Sequence, residues 1–470
     1  MPNGLAYLML FAWPLVAQAF FRAMPVYKAL IWSVMVGYLI LPAATSIKVP
    51  MIPALDKHSV VVLSALILCR LNAGRDGEVD NTAIGAERTL VRSLLVLVIG
   101  APFLTAVTNP EPLVYGPRYI PGLTLYDSFS MISGAAVALL PYMLARRYLT
   151  SQVAHLEILR AFVLCGLAYS LPALVEVRLS PQLHVWIYGF FPHDFIQHIR
   201  AGGYRPILFL SHGLMVGIFF CMSIISALVL WREARREGQP ARKWLLAALW
   251  LTFVLVLVKS VGALAIAVAV GAIVALLGQR MQVLFAAVVA VVVLFYPTLR
   301  GAGYIPVDRV FSLALSYSED RALSLKFRLD NEDALLARAN EKPLFGWGGW
   351  GRPHIFDPET GRMTSVTDGI WVILIGIYGW TGYLAYFGLL TAPILIFAWR
   401  RTRYGPSFLA PGLMLLLSAT LIDFLPNASL VPYVWMIAGA ASGFVPTSVA
   451  AARSSNVRPT GEARLRPLLE

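Results

Sequence analysis

Arginine and histidine gather in one short stretch of an otherwise apolar chain. It runs Tyr188-Gly189-Phe190, Pro192-His193-Asp194, Gln197-His198-Ile199-Arg200 and Gly202-Gly203-Tyr204-Arg205-Pro206, and ends at His212. A guanidinium is a planar fork of donors that matches phosphate oxygens, so Arg200 and Arg205 read as anion-binding residues. The alternative is that both snorkel to lipid headgroups. A second basic series, Arg309, Arg321, Lys326, Arg328 and Arg338, follows further on. Arg321 and Arg328 are two helical turns apart and share a face. Asp320, Asp330, Glu332 and Asp333 lie among them, so a solvated, salt-bridged helix is the competing account.

After this series comes Pro343-Leu344-Phe345-Gly346-Trp347-Gly348-Gly349-Trp350-Gly351, a turn suited to close backbone approach, with Trp347 and Trp350 able to meet a sugar or a membrane surface. Thr364-Ser365-Val366-Thr367-Asp368-Gly369 then opens a long apolar segment that carries Gly379-Trp380. A carboxylate at a membrane boundary is costly unless solvated or paired, so Asp368 reads as a general base or as the cap of the next helix. Lys259, between two apolar stretches, marks an outer turn or faces a cavity and is carried as a substrate-binding candidate. No Walker-type loop, zinc-ligand spacing or Asp-x-Asp pair is visible. Nucleotide-driven and metal-dependent chemistry therefore has no seat in the sequence, and neither cofactor nor metal is expected.

The elements that must position these residues are membrane spans. The chain has 470 residues, 58% of them hydrophobic and only 13% charged, with a mean hydropathy of +0.71. Soluble domains carry about 25% charge. The apolar residues also come in blocks long enough to span a bilayer, which takes roughly 17–25 residues. In order the blocks are Leu5–Phe21, Val26–Ala44, Ser59–Leu71, Leu90–Thr108, Tyr126–Ala145, Leu156–Val177, Ile207–Trp231, Trp244–Val258, Ser260–Gly278, Met281–Pro297, Ile370–Trp399, Phe408–Ile422 and Val431–Ala450. The expected fold is thus an all-α polytopic membrane protein of about 12–13 transmembrane helices, one integral membrane domain over 1–470. No Lys or Arg precedes the first block, so it reads as a retained span rather than a signal peptide, despite Ala17-Gln18-Ala19.

Net charge is +13. Most basic residues fall in short loops on alternate sides of the span count, and all of these land on one face, which the positive-inside rule makes cytoplasmic. The N-terminus is then outside and the 451–470 tail is cytoplasmic. No basic aromatic groove appears, so nucleic acid is not an expected partner. Cys69, Cys165 and Cys221 all lie in apolar segments and read as small hydrophobic residues. The opposite face carries the long loops 109–125, 178–206 and 298–369. The last far exceeds an ordinary connection. Within it Ser318–Lys342 reads as a helix with Ser318 as N-cap and Pro343 as its stop. No internal repeat relates the two halves, which counts against transporters built from duplicated bundles.

From Phe327-Arg328 to Leu384 the chain resembles the O-antigen ligase/polymerase superfamily of bacterial membrane glycosyltransferases. The family pattern is an Arg-bearing helix, a Pro-Leu-x-Gly-x-Gly turn, then a His-Asn pair opening a span that continues into Glu-x-Gly. Here Arg328 is followed by Pro343-Leu344-Phe345-Gly346-Trp347-Gly348, Asp368-Gly369 stands in the His-Asn position, and Ile377-Tyr378-Gly379 keeps the glycine without the glutamate. Arg205, just before an inward span, looks like the family's other arginine site. The resemblance implies a GT-C-like layout with a large late periplasmic loop containing short helices, in the bacterial inner membrane with its site facing the periplasm. It implies a glycan on undecaprenyl pyrophosphate as donor and metal-independent, inverting transfer.

In that scheme Arg205 and Arg328 hold the pyrophosphate, Asp368 is base or positions the acceptor, and Arg200, His212, Arg321 and His354 support. His212 and His354 are the other candidate bases, because aspartate replaces the family histidine. That replacement and the long Gly/Trp loop favour a polymerase of O-antigen or exopolysaccharide repeat units over a ligase to lipid A core or protein. A flippase or exporter of lipid-linked glycan is the alternative of another class. It would place charges along several spans near the midplane, whereas here they gather in outer loops. A chain-length regulator and a flippase would be partners alongside the bilayer.

Overall fold

Each expected apolar block contains a helix among the described residues, as suits a backbone that must satisfy its own amides and carbonyls away from water. The computed structural model describes residues 1–48, 53–75, 85–200, 202–317, 319–400 and 407–443, with some side chains, Arg200 and Arg321 among them, outside the described set. The tail 451–470 and the expected cap Ser318 also lie outside the described residues. The helices are α1 (Gly4–Ala23), α2 (Val26–Ile40), α3 (Lys57–Leu71), α4 (Gly85–Val107), α5 (Leu125–Tyr148), α6 (Gln152–Leu179), the short α7 (Leu183–Tyr188) and α8 (Gly213–Arg236). They continue as α9 (Arg242–Leu257), α10 (Val261–Leu276), α11 (Gln279–Gly301), α12 (Val307–Tyr317), α13 (Glu319–Asn340), α14 (Ile370–Trp399), α15 (Leu409–Asp423) and α16 (Pro432–Ser442). Seven of them, α1, α4, α5, α6, α8, α11 and α14, are long and apolar enough to cross a membrane unaided. The protein is a mostly helical, multi-pass membrane protein.

Helix α8 is the hub. It packs against α6, α9, α10 and α15, while α14 packs against α4 and α11, and α16 against α5. Of α8's apolar stretch 83% is buried inside the protein, against 33% for α11, so α8 is central and α11 peripheral. On α11 the exposed residues Met281, Leu284, Val288, Val291 and Phe295 form one stripe, and Val283, Ala286, Ala290 and Val293 form the buried one. In water that pattern would be inverted. In a bilayer it is a lipid-facing stripe with small residues at the helix contact.

Three expectations are corrected in detail. The seventh span does not begin at Ile207. Pro206 and Glu176, whose carboxylate accepts the Ile207 and Leu208 amides at 2.8 Å each, hold 207–212 in an irregular loop, and α8 starts at Gly213. Helix α11 runs past Pro297 to Gly301, so the long loop starts later than 298. Finally α14 is not one continuous helix: Gly379 breaks it with φ 68° and ψ −171°. The other regular structure among the described residues is a 3-10 turn, Phe195–His198, and three two-stranded antiparallel pairs: β1 (Ser46–Ile47) with β2 (Leu55–Asp56), β3 (Leu113–Tyr115) with β4 (Arg118–Ile120), and β5 (Ile199–Arg200) with β6 (Gly203–Tyr204).

The break in α14 and the Gly/Trp turn complete each other. Interrupting the helix leaves carbonyls and amides in need of partners. Trp347 and Gly348 donate their amides to the Gly376 and Ile377 carbonyls at 2.8 and 3.0 Å, and Trp380 donates to Pro343 O at 2.8 Å. Gly346 has φ 68°, and any Cβ there would meet the backbone of Ile377 and Gly379. A Cβ on Gly379 would in turn meet the Leu344 backbone. Only glycine fits both positions.

The loops after α4 and α11 meet at one end of the bundle. Arg352, 1% exposed, donates to the carbonyls of Trp347 (3.0 Å), Pro121 (2.7 Å) and Glu111 (3.0 Å). Lys342 reaches Asn109 Oδ1 at 2.8 Å. At the opposite end Arg400 pairs with Glu87 at 2.7 Å, and Glu233 receives Arg236, Ser407 and the Phe408 amide.

Candidate functional site

Helix α13 lies across the ends of α11 and α14, and its inward face carries Arg328, Asn331, Glu332 and Leu335. These positions follow the i, i+3, i+4, i+7 spacing of one helix side. Arg328 Nε stands 3.5 Å from Asp368 Oδ2, with the two side chains 36% and 25% exposed. Asn331 Oδ1 accepts the Val366 amide at 2.8 Å, which fixes the approach of the 364–369 segment. Asp368 does not cap α14: no side-chain cap bond is made at the start of that helix. The carboxylate turns to Arg328 instead.

Glu332 is buried and receives the Tyr296 hydroxyl at 3.4 Å. Burial pushes its carboxyl up to about 7, against the pull of Arg300 and the Tyr296 hydrogen bond and with the push of Asp333 and Asp368. A carboxyl that titrates near neutrality beside cations is the kind of group that exchanges protons during catalysis. Arg300, 5% exposed at the end of α11, makes a 2.9 Å ion pair with Asp333. Neither Glu332 nor Arg300 was singled out by the sequence. The signal for Glu332 was its place one helical turn after Arg328; Arg300 sits at the end of an apolar block and carried none.

His212 is the N-cap of α8, its ring nitrogen accepting the Leu214 amide at 3.0 Å. Burial, first, and then the charges of His198, His193, Arg205 and Arg328 push its imidazole down to about 3. His212 is therefore neutral at physiological pH, and it lies within electrostatic range of both arginines assigned to the two separate loops. Arg205 lays its aliphatic chain over Gly213 and donates to Lys259 O at 3.2 Å. Lys259 forms the turn between α9 and α10, with φ 59°, and its ammonium lies against Gly203 of β6. Arg205, Lys259 and the amino end of α8 thus bring positive charge to one region, which suits a polyanion.

The remaining candidates divide. His354 lines a small cavity with Trp350, Leu335 and Thr367, and its Nδ1 is 3.4 Å from Ser365 Oγ; burial, with the Arg118 charge, lowers its pKa. Trp350 is exposed. Trp347 is 6% exposed, donates to Arg338 O at 2.8 Å and is covered by the Arg338 guanidinium at 3.4 Å, so its ring holds the turn together rather than facing a ligand. The side chains of Arg200 and Arg321 lie outside the described residues.

Sequence spacing also concealed one cluster. His193, His198 and His212 come together with one ring nitrogen of each within 4.8 Å of the others. Compared with known proteins, the chain matches no family model and no curated protein.

Proposed function

We propose that the protein is a membrane glycosyltransferase of the bacterial inner membrane that polymerises oligosaccharide repeat units carried on undecaprenyl pyrophosphate, on the periplasmic face. The observation that carries this reading is the Arg328–Asp368 contact. It joins a carboxylate to a cation of the kind a pyrophosphate leaving group needs. A hydroxyl of the acceptor sugar attacks the anomeric carbon of the donor. The anomeric C–O bond to the lipid pyrophosphate breaks, and Arg205 and Arg328 stabilise the charge that develops on the departing oxygens. Asp368 orients the acceptor, and Glu332 is the carboxyl best matched to receive the hydroxyl proton near neutral pH. The exposed Trp350 and half-buried His354 border the place where sugar would lie. A chain-length regulator and a flippase supplying the lipid-linked unit are the partners this role requires.

The test is the polysaccharide profile of cells carrying the wild-type chain, a deletion and Arg328→Ala. Loss of long chains with single repeat units still attached to their acceptor supports polymerase. Loss of every attached unit, with polymer accumulating on the lipid carrier, makes the enzyme a ligase. An unchanged profile in all three rejects glycosyl transfer.

A further inference from the structure

Three of the chain's seven histidines converge at the amino end of α8. His193 comes from the loop after α7, His198 closes the 3-10 turn Phe195–His198, and His212 caps α8. Their ring centres are 4.6 Å (His193–His212), 5.0 Å (His198–His212) and 5.5 Å (His193–His198) apart. Three imidazoles bound to one tetrahedral ion at nitrogen–metal distances of about 2.0–2.1 Å have ring centres roughly 5 Å apart. The rings therefore stand close to where a metal would hold them. The three residues come from separate turns of an irregular loop, so no ligand spacing in the sequence reveals them.

We propose that His193, His198 and His212 form a binding site for one divalent transition-metal ion of the zinc class, with a fourth position open to an anionic oxygen. Imidazole nitrogen suits zinc, copper, nickel and iron, and three protein ligands with an open position are the pattern of reactive rather than purely structural zinc. The surroundings orient the ligands. The Asp194 carbonyl is 3.0 Å from His198 Nδ1 and can only accept there. That places the Nδ1 proton and leaves Nε2 with its lone pair for a metal. The Gly213 amide approaches this Nε2 at 3.4 Å, a long contact that a metal displaces. His212 gives up its bond from the Leu214 amide, whichever of its nitrogens meets the ion. Three neutral ligands leave the ion's charge uncompensated beside Arg205, whose chain packs on Gly213, so the fourth position selects an anion such as phosphate or hydroxide. The site stands on these residues alone and does not depend on glycosyl transfer.

The experiment uses full-length, tag-free protein in detergent, stripped with a chelator and titrated with Co2+ and then Zn2+. We expect one equivalent of Co2+ per chain with the visible absorption of a tetrahedral, nitrogen-liganded ion, displaced by Zn2+. His193→Ala removes an exposed ligand without opening the core and should weaken binding more than about 100-fold, beyond the loss from a second-shell change. His212→Ala should do the same, and His354→Ala should leave the affinity intact. Absence of stoichiometric binding by the wild type would reduce the cluster to edge-to-face ring packing. Binding that survives in both His193→Ala and His212→Ala, or that is lost equally in His354→Ala, would also overturn the site.

Discussion

Arg328 Nε, midway along α13, and Asp368 Oδ2, just before α14, face each other at 3.5 Å. Because both side chains keep a quarter or more of their exposure, solvent screens the pair and its contribution to stability is about 0–1 kcal/mol. Arg328→Ala should therefore leave the thermal midpoint of the purified protein nearly unchanged while lowering polymer formation by about 100-fold or more. Thermal unfolding and an in vitro assay with lipid-linked repeat units read the two effects separately. A large drop in stability with proportionate loss of activity would make Arg328 a structural residue.

Glu332 sets the expected pH dependence. Its carboxyl is held protonated by burial until about pH 7, so it accepts protons only above that value. Activity should rise as pH increases through this region. Glu332→Gln should abolish the rising limb and lower the rate by about 10²–10⁴-fold. The same limb in Glu332→Gln would assign the titration to another group.

The Gly346–Gly379 contact should be intolerant of side chains. In Gly379→Ala the residue keeps φ 68°, which costs about 1–3 kcal/mol, and its Cβ meets the Leu344 backbone as well. We expect a thermal midpoint lowered by several degrees and poor recovery from membranes. Gly349→Ala, where nothing lies within 4 Å of the added carbon, is the matched control and should behave as wild type.

Arg352 ties the loop after α4 to the Gly/Trp turn through three carbonyls. Arg352→Ala leaves those acceptors without the guanidinium and should cost about 2–4 kcal/mol. Hydrogen exchange should show faster amides in 109–125 and around Trp347, with the helices around α8 unchanged. Uniform exchange across the chain would mean that the loop is held independently of Arg352.

Topology can be read by cysteine labelling, since Cys69, Cys165 and Cys221 are buried. Glu359→Cys should react with an impermeant reagent on intact spheroplasts, and Glu237→Cys only after the membrane is opened. The reverse result would place the Arg328 loop inside the cell and remove the basis for a lipid-linked donor presented outside.

Much of the architecture was legible because spanning helices are specified locally. Apolar blocks such as Leu90–Thr108 and Ile207–Trp231 announce themselves in any order, and α13 was framed by its charges and by Pro343. Arg328, Pro343–Gly348, Asp368 and Gly379 could be marked as a set before any contact was known. Their assembly could not. Whether Asp368 caps a helix or meets an arginine depends on how α13 lies across α14, and that depends on the Gly379 break and the turn that satisfies its backbone. Glu332 became a proton-exchanging candidate only once burial was known, because the same residue on a solvated helix is an ordinary carboxylate. Trp347 went the other way, its ring enclosed by Arg338. The histidines at 193, 198 and 212 meet because Glu176 and Pro206 keep 207–212 out of the helix. Hydrophobicity and charge are carried residue by residue, so the sequence alone determined which stretches form apolar helices, though not where each begins or breaks. Proximity across loops is set by packing and shared hydrogen bonds, so only the tertiary structure decided the site.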